Sequence, residues 1–164
     1  MVCFPDRTVV ITTEMKDIQN EIERTYAVIE DCTGELKELK KKLSHDSQMA
    51  IDAKNKELSR RNRLDEAYIE LSITRQEIED ATDAADVANI ERLEEVMGTI
   101  QMDIEQIYED IEISMGEADQ YNRSVVDSMD KKIELEKRLR EAEQILKNES
   151  ERLDTIVGGG AKNI

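Results

Sequence analysis

The sequence predicts an all-α fold built as a long coiled coil, and three observations predict it. Of the 164 residues, 38% are charged and 3% aromatic, with no Trp and one Phe, so the large side chains that fill an ordinary globular core are missing. Glu, Lys, Arg, Leu, Ile and Ala dominate, a mixture that favours helix, and one Pro with six Gly leaves few turn signals. The apolar residues recur at alternating steps of three and four. That regularity argues against disorder, the competing reading of so much charge, because a disordered chain has no stripe to bury.

Residues 1–13 read differently from the rest. Val9-Val10-Ile11-Thr12-Thr13 is β-branched throughout and predicts a short strand-like segment, an exit from a domain that lies elsewhere. Thr12 or Thr13 then caps a long helix, with Glu14 in its first turn.

Residues 14–79 form a first coiled-coil register. With Met15 at heptad position a, the series runs Ile22, Ile29, Leu36, Leu43, Ala50, Glu57, Leu64, Leu71, Ile78, broken only by Glu57. The d series is weaker, with Ile18, Thr25, Cys32, Leu39, Asp46, Ala53, Arg60, Ala67, Thr74 and Ala81. A spacing of 3.5 residues keeps one stripe facing a partner helix once the two supercoil. A second register covers residues 90–157, with Ile90, Met97, Ile104, Ile111, Ala118, Val125, Lys132, Leu139, Leu146 and Leu153 at a. Leu93, Ile100, Ile107, Ser114, Tyr121, Ser128, Leu135, Ala142, Glu149 and Ile156 stand at d.

The two registers do not join, since Ala85 to Ile90 is five residues where seven are due. Residues 80–89 are therefore a register break or joint, rich in cap-forming Asp, Thr and Asn. Two arrangements fit: one continuous, locally irregular rod, or an antiparallel two-helix hairpin. A hairpin turning near Val87 sets Arg60, Arg61 and Arg63 beside Asp110 and Glu112, but Glu66, Glu70, Glu77 and Glu79 near Glu94, Glu95, Asp103 and Glu105. That repulsion, with no Gly or Pro in the break, favours the rod and places positions 64 and 111 far apart. Gly158-Gly159-Gly160 ends the helix after Val157, leaving residues 158–164 as a flexible tail.

Charge is unevenly placed. Residues 65–119 hold 18 acidic side chains against Arg75 and Arg92, so the whole formal net charge of −16 falls in that stretch. Such a stalk repels nucleic acid and favours a basic partner helix or plain solvation. The opposite sign gathers at Lys37, Lys40, Lys41, Lys42, Lys54, Lys56, Arg60, Arg61 and Arg63. Lys40, Lys41, Lys42, Arg60, Arg61 and Arg63 are candidates for weak contact with a DNA backbone. Pairing with an acidic helix accounts for them as well, and no aromatic residues interleave to stack on bases.

No nucleotide-binding loop, dinucleotide fingerprint or nucleophile elbow occurs, and His45 is the only histidine. The expectation is no catalytic, cofactor-binding or metal site, and no small-molecule ligand. No apolar run reaches the ~20 residues that cross a bilayer, and Pro5, Asp6 and Arg7 interrupt any signal-peptide pattern. Cys3 and Cys32, without metal spacing, fit a reduced, intracellular setting.

A strand-like entry, Val2-Cys3-Phe4 through Thr13, feeding a long coiled coil whose registers break, resembles the structural-maintenance-of-chromosomes (SMC) ATPases. Ile78-Glu79-Asp80 through Ile90-Glu91-Arg92-Leu93-Glu94-Glu95 is similar to the post-hinge arm of the larger subunit of the SMC five–six complex. The chain departs from that family in having no glycine-rich hinge interface, no head and no nucleotide motif, so no functional residue carries over. The resemblance implies a spacer arm in a nuclear ATP-driven machine that acts in chromosome organisation, DNA repair and recombination. Its seam would pair with an arm strand of the parent chain. The alternative is a homodimeric tether or scaffold of cytoskeletal, kinetochore or vesicle-tethering type.

Overall fold

A computed structural model describes residues 7–161. Two α-helices account for nearly all of them, α1 over Arg7–Asp83 and α2 over Val87–Ala161. The all-α class and the break within residues 80–89 stand. Of the two arrangements left open, the chain takes the antiparallel hairpin and not the continuous rod. Leu64 and Ile111, placed far apart by the rod, lie in one buried cluster.

The turn is made by residues 84–86 and needs no glycine. Asp86 N–H donates to the Ala81 carbonyl at 3.0 Å and Ala85 N–H to the Thr82 carbonyl at 3.1 Å, the crossed pair of bonds that closes a Schellman cap. The residue bent left-handed at its centre is Ala85, with φ 56°. Asp86 then serves a second time. Its Oδ1 accepts from Asn89 N–H at 3.3 Å, and its carbonyl accepts from Ile90 N–H at 3.1 Å, which starts α2. Left-handed geometry costs an L-residue about 1–2 kcal/mol, a strain that glycine does not bear. Ala85→Gly is therefore expected to raise stability by up to about 1 kcal/mol, net of glycine's greater unfolded-state freedom. Urea denaturation followed by circular dichroism checks this, and an unchanged or lower midpoint would mean that Ala85 carries no strain.

The helices pair within each of two units. One comprises Ser44–Val126 and contains the turn; the other takes residues from the two ends, up to Leu43 and from Asp127 onward. In the turn unit the core cluster is Leu64, Ala67, Leu71, Ile100, Ile104, Ile107 and Ile111, with Met97 packed against it. In the other unit Cys32, Leu36 and Leu135 are buried together, covered by Leu39 and Leu139. All of these are a or d residues, one register from each helix. Magnitudes explain why the hairpin wins over the repulsion argued from sequence. Each exposed like-charge pair costs at most about 1 kcal/mol, whereas each buried Leu or Ile contributes about 1.5–3 kcal/mol. Half of the carboxylates in question, Glu66, Glu79, Glu95 and Glu105, also stand on the outward side of their helices.

Two expectations at the chain ends are corrected. Val9–Thr13 is helical and continuous with α1, so among the described residues there is no strand, and Thr12 and Thr13 are not caps. Intrinsic preferences of β-branched residues against helix are worth only tenths of a kcal/mol each, and the helix simply runs through them. Residues 1–6 of that expected segment lie outside the described residues. Nor do Gly158 and Gly159 stop α2, which continues to Ala161; residues 162–164 of the expected tail lie outside the described residues.

Candidate functional site

The side chains that depart from plain coiled-coil packing are the polar ones on the seam. Every a and d position from Ile18 to Ala81, and from Ile90 to Ile156, is buried or half-buried, the polar ones included. Thr25 and Thr74 solve this within their own helix: each hydroxyl donates to the carbonyl one turn back, Glu21 at 2.8 Å and Glu70 at 2.9 Å.

In the turn unit the polar residues form layers. Glu57, an a residue 4% exposed, accepts from Lys54 Nζ at 2.9 Å and Arg61 Nε at 3.0 Å, so one buried carboxylate is held between two cations of its own helix. Lys54 and then Arg61, hydrogen-bonded to it, hold the Glu57 carboxyl below the usual carboxylate range, against the opposing effect of burial. Arg60, the neighbouring d residue, reaches across to α2. Its Nη1 donates to the Asp110 carbonyl at 2.6 Å and to the Ser114 hydroxyl, which in turn donates to the same carbonyl at 3.0 Å. The sequence expectation of Arg60 beside Asp110 holds in position, but the acceptor is the backbone and not the carboxylate. Further along, Ser124 Oγ donates to Asp46 Oδ2 at 2.6 Å across the seam. Among the described residues no buried side-chain N or O atom lacks a hydrogen-bond partner. Tyr68 and Tyr108 meet outside the seam with hydroxyls 2.9 Å apart. That bond to Tyr108 is the main cause that raises the Tyr68 phenol above its ordinary value.

The candidate DNA-contacting cations do not form one cluster. Lys40, Lys41 and Lys42 belong to one unit and Arg60, Arg61 and Arg63 to the other. Several are engaged by the protein itself: Lys41 with Glu38 at 3.2 Å, Arg61 with Glu57 and with Met115 Sδ at 3.7 Å, and Arg60 as above. In the unit of the chain ends, Arg152 bridges to Glu14 at 3.0 Å across the two helices. Two shallow grooves lie there, one lined by Thr25, Val28, Ala142 and Ile145 and the other by Gly34, Leu39, Lys131 and Leu135. Both are open depressions beside the seam, and the first is rimmed by Glu21, Arg24, Arg138 and Glu141. Among the described residues no group of three His, Cys, Asp or Glu side chains could hold a metal ion, and no helix is long and apolar enough to cross a membrane.

The arrangement defines a class: an antiparallel helical hairpin with an intramolecular, coiled-coil-like seam. No protein-family model matches the sequence, and comparisons with curated proteins and with solved structures return no significant match.

Proposed function

We propose that the chain is a non-catalytic helical-hairpin arm, a spacer that holds other parts of a larger assembly at a set separation. One observation carries this reading: the a and d residues of both registers are covered by the chain's own two helices, with every buried polar side chain among them partnered. A seam closed in this way needs no outside strand for stability, and the outward surfaces stay available for attachment.

The specific setting proposed, following the sequence resemblance, is the coiled-coil arm of an SMC-type ATPase acting in the nucleus in DNA repair, recombination and chromosome organisation. There the hairpin is a self-paired stretch of arm, not one strand waiting for another. Lys40, Lys42 and Arg63 are the cations that would touch a DNA backbone by charge alone. The alternative, a homodimeric tether, has to dimerise through outer faces, because the a/d seam is already occupied; the exposed aliphatic side chains of α1 favour keeping it.

Circular dichroism across a wide dilution series tests the proposal. Helicity and melting midpoint are expected to be independent of concentration, since the seam is intramolecular. Loss of helicity on dilution, with a parallel dimer as the folded species, would sink it.

A further inference from the structure

We infer that Tyr68 and Tyr108 form an oxidative coupling site, at which a one-electron oxidant joins α1 to α2 through a carbon–carbon bond between the two phenol rings. The observation is a pair of phenol hydroxyls 2.9 Å apart, one on each helix of the turn unit and 40 positions distant in sequence. Each tyrosine stands one residue after a buried d residue of the core cluster, Ala67 on α1 and Ile107 on α2. Packing of the seam therefore holds the two rings together at its flank. Tyr68 is 44% and Tyr108 47% exposed, so a dissolved oxidant reaches both. The other two tyrosines are placed differently: Tyr26 belongs to the other unit, and Tyr121 is half-buried on the seam.

The oxidant takes one electron from each phenol, whose hydroxyl proton leaves to water. The two phenoxyl radicals then join through the ring carbons ortho to their oxygens. Each of those carbons still carries a hydrogen, which shifts to its own oxygen and restores the phenol. The pair has then lost two electrons and two protons in all; with a haem peroxidase as oxidant, hydrogen peroxide accepts them and becomes two waters. In the coupled product the two hydroxyls flank the new bond and lie within hydrogen-bonding distance of each other, the separation that Tyr68 and Tyr108 already have. Two rings held in contact react as one molecule and not by collision, which favours this pair over coupling between chains. The new bond closes a loop around the turn from residue 68 to residue 108. A chain so closed has fewer unfolded conformations, so the coupling staples the turn unit shut. The inference rests on the pairing of the two helices and on nothing else in the proposed function.

Oxidation of the full chain at low micromolar concentration, with a haem peroxidase and limiting hydrogen peroxide, tests the inference. Dityrosine fluorescence is expected in a species of monomer mass that has lost two hydrogen atoms. Cleavage after Lys and Arg should then join residues 64–75 to residues 93–123, with the bond at Tyr68 and Tyr108. Tyr68→Phe and Tyr108→Phe, which keep the ring and lose the phenol, should each lower the yield at least tenfold, whereas Tyr121→Phe leaves it unchanged. The purified coupled chain should unfold at a higher urea concentration than the parent. Coupling that survives either Phe substitution, or that appears only in covalent dimers, overturns the inference. So does its absence where N-acetyltyrosine couples under the same conditions, or a coupled chain whose urea midpoint does not rise. The two proposals fail separately, because loss of the intramolecular seam shows as falling helicity on dilution, whereas failure to couple leaves helicity as it is.

Discussion

Ile107→Ala is expected to lower stability by about 2–5 kcal/mol, the largest loss of any single seam truncation in the turn unit. Ile107 is 3% exposed and sits inside the cluster formed with Leu64, Ala67, Leu71, Ile100, Ile104 and Ile111. Truncation removes three carbons from that packing. Helices packed along one seam also have little freedom to collapse into the cavity, which places the cost well above the transfer term alone. A small gain opposes it, because Ala is the better helix former by a few tenths of a kcal/mol. The matched control is Ile69→Ala on the outer face, where the same chemical change removes no core contact and should leave the urea midpoint nearly unchanged. Equal effects at the two positions would mean that the seam does not hold the hairpin together.

That contrast between Ile107 and Ile69 was legible in the sequence. All the buried side chains fall on the a and d positions of the two registers, and the step of five between Ala85 and Ile90 marks where they part. The turn was harder to read. A left-handed alanine leaves no compositional trace, so the missing glycine pointed to a continuous rod; the available signal was Asp86 three residues before Asn89, an N-cap spacing for a new helix. Charge misled for a related reason. Glu66, Glu79, Glu95 and Glu105 sit at outward positions, and only knowledge of the antiparallel register separates such residues from those that meet across the seam. At the N-terminal end, the β-branched run from Val9 to Thr13 predicts strand on local preference alone, and that preference is too small to stop α1 from running through it.

The polar seam residues were visible as breaks, but not what they do. Asp46, Glu57 and Arg60 interrupt the heptads in the sequence, whereas their partners Ser124, Lys54 with Arg61, and Ser114 emerge only once the helices are paired or their side chains placed. The basic cluster likewise looks continuous in sequence. In the fold its members fall in two units, and four of them are engaged by the chain itself: Lys41 and Lys54 in ion pairs, Arg60 on a backbone carbonyl and Arg61 on Glu57 and a thioether.

The Asp46 layer gives the second large effect, and its two arms have opposite signs. Asp46 is 6% exposed at a d position, and the Ser124 hydroxyl at 2.6 Å is its contact across the seam. Ser124→Ala leaves that side chain in place without its donor and is expected to cost about 1–3 kcal/mol, the penalty for stranding a buried acceptor. Asp46→Leu removes the acceptor itself and supplies the apolar side chain the heptad asks for, so it should stabilise the hairpin by about 1–3 kcal/mol. The double variant should then resemble Asp46→Leu alone, because the serine has nothing left to donate to across the seam. If the polar layer serves to fix register, the stabilised variant will show it. Spin labels placed on opposite helices of the turn unit should give a broader distance distribution than the parent, even as the urea midpoint rises. A sharper distribution in Asp46→Leu would mean that the carboxylate adds no pairing specificity. Destabilisation by that substitution would mean that the layer contributes net stability in its own right.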